Sequence, residues 1–399
     1  MANNNNKDKC NVPHLRFPEF SGEWEMSSIG EQFELYSGNT PSRMNKNQFD
    51  GSINWITSGE LKEHYISDTK EKISEEAAKN NSLKLLPVGT FVIAIYGLEA
   101  NGVRGTCSIT TRESTISQAC MAFTSKMDIQ NEFLYSWYKK HGNIIGIKYA
   151  QGTKQQNLSY DIIERFNISY PCMEEQKKLI RFISLIDQRI ATQNKIIEDL
   201  KKLKSAIIEM EYTHKTKSNS HIGDFIEQTS KRNKNCAIQN VLSVSNRQGF
   251  IQQSEQFENR SVASDDTSNY KIVEKNDFAF NPARINVGSI ARLTTFDRGI
   301  VSPMYICFRT KDTLFPKYLD YYFETKQFFT EIQKRLEGSV RQCLSFEGLC
   351  NIPLCIPTIE VQQQVGKQLS TLVQEIKLEI DLLELLQRQK KFLLHQMFI

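Results

Sequence analysis

The chain repeats itself, and the period is the length of a domain. Residues 152–159 read GTKQQNLS and residues 338–345 read GSVRQCLS, an offset of 186 residues. The echo then runs on without a gap. Pro171 falls on Pro357, Gln176 on Gln362, Ile190 on Ile376, Glu198 on Glu384, Leu200 on Leu386 and Lys204 on Lys390. A solenoid repeat recurs at roughly 20–50 residues, so a period this long predicts two copies of a whole domain, each with a trailing segment.

The trailing segments have a pattern of their own. In the first copy Leu179, Ile183, Ile186, Ile190, Gln193, Ile197, Leu200, Lys204 and Ile207 advance in alternating steps of four and three. In the second, Val365, Leu369, Leu372, Ile376, Glu379, Leu383, Leu386, Lys390 and Leu393 keep the same register. This is a heptad seam held for about four heptads. Pro171 and Pro357 stand just before each seam, where proline stops a helix from growing backwards. A helix over about 174–212 spans on the order of 55–60 Å at 1.5 Å per residue. A narrow seam needs a partner helix. The other copy supplies one by antiparallel pairing, which would place the two globular parts at opposite ends; a parallel homodimer is the alternative. The polar rungs at Gln193/Glu379 and Lys204/Lys390 set register in either case.

The globular parts are related more loosely. IGEQF (29–33) is matched by IGDFI (222–226), FVIAIYG (91–97) by the stretch around KNDFAFNPAR (275–284), and EFLYSWY (132–138) by KYLDYYF (317–323). The offset drifts from 186 to 193, as loop insertions would make it do. ITSGELKEHYISDTK (56–70) has no clear counterpart. Similar frames with different loops suit similar tasks on different targets. The expected class is α+β: two mixed α/β domains separated by two long antiparallel coiled-coil helices in a pseudo-twofold repeat.

Catalytic patterns are scarce. GLEANGVR (97–104) spaces its glycines like a phosphate-binding loop, but Val103 stands where the lysine belongs. NPAR (281–284) begins like an adenine methyltransferase motif and then departs from it. The six histidines, His14, His64, His141, His214, His221 and His395, are scattered. The nine cysteines form no C-x-x-C pair and read as small buried hydrophobes of a reducing compartment. No run of 18 or more apolar residues suggests a membrane span. The opening MANNNNKDKC lacks the apolar core of a signal peptide and reads as a polar lead-in. A net charge of +4 permits nucleic-acid binding without demanding it. These absences favour a binding protein, which leaves open a DNA reader, a coiled-coil protein–protein adaptor with two globular binding ends, and a lone nuclease or methyltransferase.

PHLRFPEFSGEW (13–24), IGEQFELYSGNTPSR (29–43), INWITSGEL (53–61), AQGTKQQNLSYDIIERFNISYPCMEEQKKLIRFISLIDQRI (150–190) and the C-terminal echo resemble the specificity (S) subunit of type I restriction-modification enzymes, over essentially the whole chain. The resemblance implies a lead-in (1–12), target recognition domains over 13–172 and 215–357, a central spacer helix (173–214) and a C-terminal one (358–399). It implies a non-catalytic, cytoplasmic subunit that reads a bipartite asymmetric site on double-stranded DNA, one part per domain. The helices would set the gap and dock two methyltransferase (modification) subunits, with motor-nuclease (restriction) subunits joining. The chain itself would bind no cofactor; S-adenosylmethionine, ATP and Mg would sit on the partners. The second copy departs from the pattern where Asn157 becomes Cys343, Glu175 becomes Val361 and Asp187 becomes Val373.

Base readout favours Arg or Lys on guanine and Asn or Gln on adenine, while phosphates take Lys, Arg and backbone N–H groups. On that chemistry the loop candidates in the first half are Arg43, Lys46, Asn47, Lys62, Arg104, Arg112, Lys154, Gln155 and Gln156. In the second half they are Arg247, Gln248, Arg284, Asn286, Arg292, Arg298, Arg341 and Gln342. The glycine of the repeated G-[ST]-x-x-Q phrase suits close backbone approach to DNA, or a turn that packs the domain on its helix.

Overall fold

The computed structural model describes residues 11–97, 105–126, 128–149, 156–213, 220–246, 248–253, 266–338 and 342–399. The chain divides into two compact units, one built from residues 1–193 with 382–399 and the other from 194–381.

The strands of unit 1 are β1 (Glu25–Ser28), β2 (Phe33–Ser37), β3 (Ile53–Ile56), β4 (Tyr65–Ile66), β5 (Lys72–Ile73), β6 (Phe91–Ala94), β7 (Tyr96–Gly97), β8 (Cys107–Thr110), β9 (Ser114–Ile116), β10 (Cys120–Ser125), β11 (Gln156–Asn157) and β12 (Asn167–Tyr170). Five of them form a sheet in the order β2-β10-β6-β8-β4, and three form a second, β5-β3-β9, in which β3 and β9 run parallel. In unit 2 the strands are β13 (Ile226–Thr229), β14 (Val241–Ser245), β15 (Gly249–Gln252), β16 (Lys271–Glu274), β17 (Phe278–Phe280), β18 (Ile290–Arg292), β19 (Arg298–Val301) and β20 (Ile306–Thr310). They make sheets β13-β20-β17-β18 and β15-β14-β19-β16, the second with a parallel pair, β14 and β19. The frames superpose in order: β2-β10-β6-β8 answers β13-β20-β17-β18, and the parallel pair recurs beside each.

The central strands β6 and β17 are buried along their whole length, which is why FVIA and FAF read as apolar runs rather than as alternating strands. Each is entered through a left-handed residue, Gly89 at φ 84° and Asn276 at φ 72°. These residues donate from their N–H groups to Thr110 and Leu293 respectively. Glycine and asparagine are the residue types that adopt this conformation most readily.

The central helix covers Met173–Thr213 and the C-terminal helix Ile359–Met397, close to the span that the prolines and heptads predict. Leu179, Ile183, Ile197, Leu369, Ile376 and Leu386 are buried, while Ile186, Ile190, Leu200, Leu372 and Leu383 are half-buried. Within unit 1 the helices run antiparallel. Leu179 and Ile183 share a core with Leu394, Met397 and Phe398, and the Lys390 ammonium pairs with Asp187. Within unit 2 Ile208 and Tyr212 share a core with Val365 and Leu369. At their last turns both helices bury Ile208 and Leu394 more deeply than the heptad neighbours Ile207 and Leu393. A 3.6-residue helix drifts against a 3.5-residue repeat, and here the helix ends pack into domain cores rather than along a seam.

Candidate nucleic-acid interface

Each domain is mounted on its helix by a repeated glutamine. Gln176 is fully buried; its Nε2 donates to the carbonyls of Asp128 and Pro171, and its Oε1 accepts from the Gln130 N–H at 3.0 Å. Gln362, also fully buried, does the same in unit 2: Nε2 donates to Thr313 and Pro357, and Oε1 accepts from the Phe315 N–H at 2.8 Å. Each amide thus joins the first turn of a long helix to the start of the aromatic helix, Asn131–Tyr149 or Pro316–Tyr322. Buried polar groups of this kind must be satisfied, and here every one of the three bonds is conserved between the copies.

The repeated phrase ends in the same way. Leu158 and Leu344 are fully buried, their N–H groups donate to Ile95 and Pro282, and Ser159 and Ser345 stand at the N-cap of the short helices Tyr160–Glu164 and Phe346–Cys350, Ser345 with its hydroxyl accepting from the Gly348 N–H. The L-S end of the phrase therefore packs the domain. In the first copy the glycine segment, with Lys154 and Gln155, lies outside the described residues; in the second Gly338 takes a positive φ of 106°, while Arg341 lies outside them, as do Arg104 and Arg247.

Several other candidates have structural partners. The Arg43 guanidinium forms a forked pair with Glu71 and stands 4.7 Å and 5.4 Å from the centroids of Phe49 and Trp55. Glu71 holds the Arg43 pKa up, and Arg43 draws the Glu71 carboxyl down. The Arg292 side chain is 10% exposed and donates to Asp320 and Asn276; burial raises the Asp320 pKa against the pull of that arginine. Lys46, Asn47, Lys62, Arg112, Gln248, Arg284, Arg298 and Gln342 are exposed, and Asn286 is half-buried. Gln156 takes part in β11 through its backbone, which pairs with Gly97. A Cβ added at Gly288 would sit 3.6 Å from the Asn246 side chain, so the Ile285–Val287 turn and the β14–β15 turn lie together. The segments that carry Arg284, Asn286 and Gln248 are therefore neighbours in unit 2.

The loop with no counterpart, 56–70, is anchored in unit 1 through His64. Its ring stacks between Tyr65 and Tyr135 with centroids 4.1 Å and 3.8 Å away and planes within 5° and 4°. Its Nε2 lies 2.9 Å from Glu132 Oε2, and its Nδ1 lies 4.0 Å from Asp187 Oδ2. Burial, followed by the Glu132 charge, pushes the Tyr65 hydroxyl up to about 12. A lone histidine in sequence carries no sign of this; the stack exists because three separate elements meet. Lys231, Arg232 and Lys234 are absent from the candidates read from the sequence, although their clustering in KRNK (231–234) was the available signal.

Residues 21–202 match the family described as the type I restriction modification DNA specificity domain. The chain is 29% identical over 185 residues to the Type I restriction enzyme MjaIX specificity subunit of Methanocaldococcus jannaschii, a match covering 45% of this chain and 42% of that one. It is 28% identical over 177 residues to the EcoR124I/EcoR124II specificity subunit of Escherichia coli, covering 43% of each. These matches span under half the length of the relatives, about one repeat. The fold likeness is longer. The S subunit of a type I restriction-modification system from M. genitalium aligns over 97% of this chain and 99% of its own, with 15% identity and a TM-score of 0.57. A chain from a structure of the assembly and conformational transition of the type I system aligns over 96% and 98%, with 13% identity and a TM-score of 0.58. The fold is thus similar to that of these S subunits, and the strand order of unit 1 recurs in unit 2.

Proposed function

We propose that the chain is the DNA-specificity subunit of a type I restriction-modification complex in the cytoplasm. Recognition domains over 13–172 and 215–357 each read one part of a bipartite, asymmetric duplex site. The helices 173–214 and 358–399 set the unread gap and dock two modification subunits, and motor-nuclease subunits join them. Methyl transfer, with S-adenosylmethionine, and ATP-driven cleavage, with Mg, belong to those partners, and this chain reads the sequence without catalysis. The observation that carries the reading is the pair of matching frames with unlike loops, each clamped to a long helix by the same buried glutamine.

The physics of the parts supports it. A helix of 41 residues is about 60 Å long, enough to hold two readers a duplex turn of about 34 Å or more apart. Ile196, Leu203 and Met210 recur every seven residues on the central helix with their side chains exposed; an apolar row of that spacing is what a partner helix would cover. In the second domain Arg284, Asn286 and Gln248 are the base-reading candidates, and in the first Lys46, Asn47, Lys62 and Arg112 are exposed.

The test is to express the chain with its modification subunits and map methylated adenines across the host genome. The expected result is one asymmetric two-part word with a fixed gap, lost when the chain is omitted. Methylation without a word, or a word that survives omission, overturns the reading.

A further inference from the structure

Unit 2 holds a cleft of about 760 Å³ lined by Lys231, Arg232, Lys234 and Arg298 together with neutral residues of the 230–238 loop and Ile272. No Asp or Glu is among its lining residues. All four cations are exposed, and among the described residues none of them pairs with a carboxylate. Elsewhere in the same unit cations find acids: Lys275 pairs with Asp297, Arg292 with Asp320, and Arg309 with Glu274 and Asp277. Four like charges gathered without a counter-ion repel one another, and a concave wall focuses their field. Such an arrangement is stable at little cost only while water screens it, and it gains when an anion enters.

The loop is also built to hold its shape. Asn233 is fully buried; its Nδ2 donates to the Ile238 carbonyl at 2.9 Å and its Oδ1 accepts from the Ile238 N–H at 3.1 Å. The Cys236 N–H closes back on the Asn233 carbonyl at 2.8 Å, which requires Cys236 to take a left-handed φ of 51°. The Asn233 N–H in turn donates to Tyr270. Lys231 and Lys234 therefore project from a loop whose backbone is already fixed, and Arg298 from the first position of β19. Preorganised cations bind an anion with little ordering cost. Lysine meets phosphate oxygens as a point charge and arginine as a fork, and both are the usual side-chain partners of the DNA backbone.

We propose that this cleft is a phosphate clamp for duplex DNA: it grips the sugar–phosphate backbone and supplies affinity to the second half of the site without choosing its bases. The clamp rests on the DNA-specificity reading above. It differs from the base-reading candidates Arg284 and Asn286 in residue, chemistry and expected phenotype.

The experiment uses the full chain assembled with its modification subunits. A random-sequence duplex library gives the word selected, and a duplex bearing that word is then titrated at salt from about 50 to 200 mM. The variant Lys231→Gln/Lys234→Gln/Arg298→Gln is expected to select the same word with a slope of log K against log salt shallower by roughly 2 to 3, at about 0.9 per lost phosphate contact. The variant Lys231→Arg/Lys234→Arg/Arg298→Lys keeps the charge and restores the slope. Should the glutamine variant lose helical circular dichroism, K231Q and K234Q singly are each expected to reduce the slope by about 0.9. An unchanged slope overturns the clamp while leaving the specificity reading intact, and so does a changed word. A wild-type complex that selects no word overturns both.

Discussion

Gln176 and Gln362 show how much a single side chain can organise. Each satisfies one N–H and two carbonyls at the junction of helix and domain. Gln176→Leu keeps the apolar volume but strands those groups, and each buried unsatisfied polar atom costs about 1–3 kcal/mol. The expected loss is about 3 kcal/mol, read as a lower thermal midpoint for unit 1, and Gln362→Leu should do the same to unit 2. His141 makes a second, pH-dependent prediction. Its Nε2 donates to the Ile399 carbonyl at 3.0 Å, and burial, with the Lys140 charge next, draws its pKa down to about 4. The folded state then binds fewer protons than the unfolded one between about pH 4 and 6.5, so stability falls as pH drops through that window. Because the ring is only half-buried, the expected loss is on the order of 2 kcal/mol. His141→Gln should flatten the pH dependence of unfolding over that range.

At the scale of the element, the seam carries an ion pair in one copy where the other has none. Asp187 pairs with Lys390 in unit 1. At the equivalent places in unit 2, Val373 is exposed and Lys204 pairs instead with Glu324 on the domain. The pair is partly buried, with side chains 21% and 28% exposed, so removing one partner leaves a poorly solvated charge. Lys390→Leu alone is expected to cost about 2 kcal/mol, whereas Lys390→Leu with Asp187→Val should fall within about 1 kcal/mol of wild type, as denaturant midpoints would show. The helix also has a functional register. One alanine inserted after Asn194 turns everything beyond it by about 100°. On the proposed function this should abolish methylation at the original two-part word, while circular dichroism still shows folded helices; mapping methylated adenines in cells carrying the insertion decides it.

For the whole molecule, the +4 net charge says little, because DNA affinity depends on where charge collects. In unit 2 the cations divide into those held by acids, such as Arg292 and Arg309, and those left open, such as Arg284 and the four of the cleft. On the proposed function, damage in one unit relaxes one part of the word. Arg284→Ala is expected to lose about 1–3 kcal/mol of base discrimination at one position, in the half read by unit 2, with the other half and the gap unchanged in the methylation map.

The duplication, the two helices and their pairing were legible in the residues because they rest on local rules: proline before a helix, heptad spacing along it and an offset that holds at 186 from the repeated phrase through the helices. Those rules act between neighbours in the chain, or between surfaces that repeat every turn. The tertiary structure alone decided which of the loop cations are free. Arg43 and Arg292 looked like Arg284 in sequence, yet Glu71, Asp320 and Asn276 reach two of them from distant segments and leave the third open. It also decided that the glutamine of the echo is a clamp, and that the 230–238 loop stands beside Arg298 to form a cleft. Such facts depend on which strands lie side by side, and strand pairing joins residues whose separation along the chain no local pattern records.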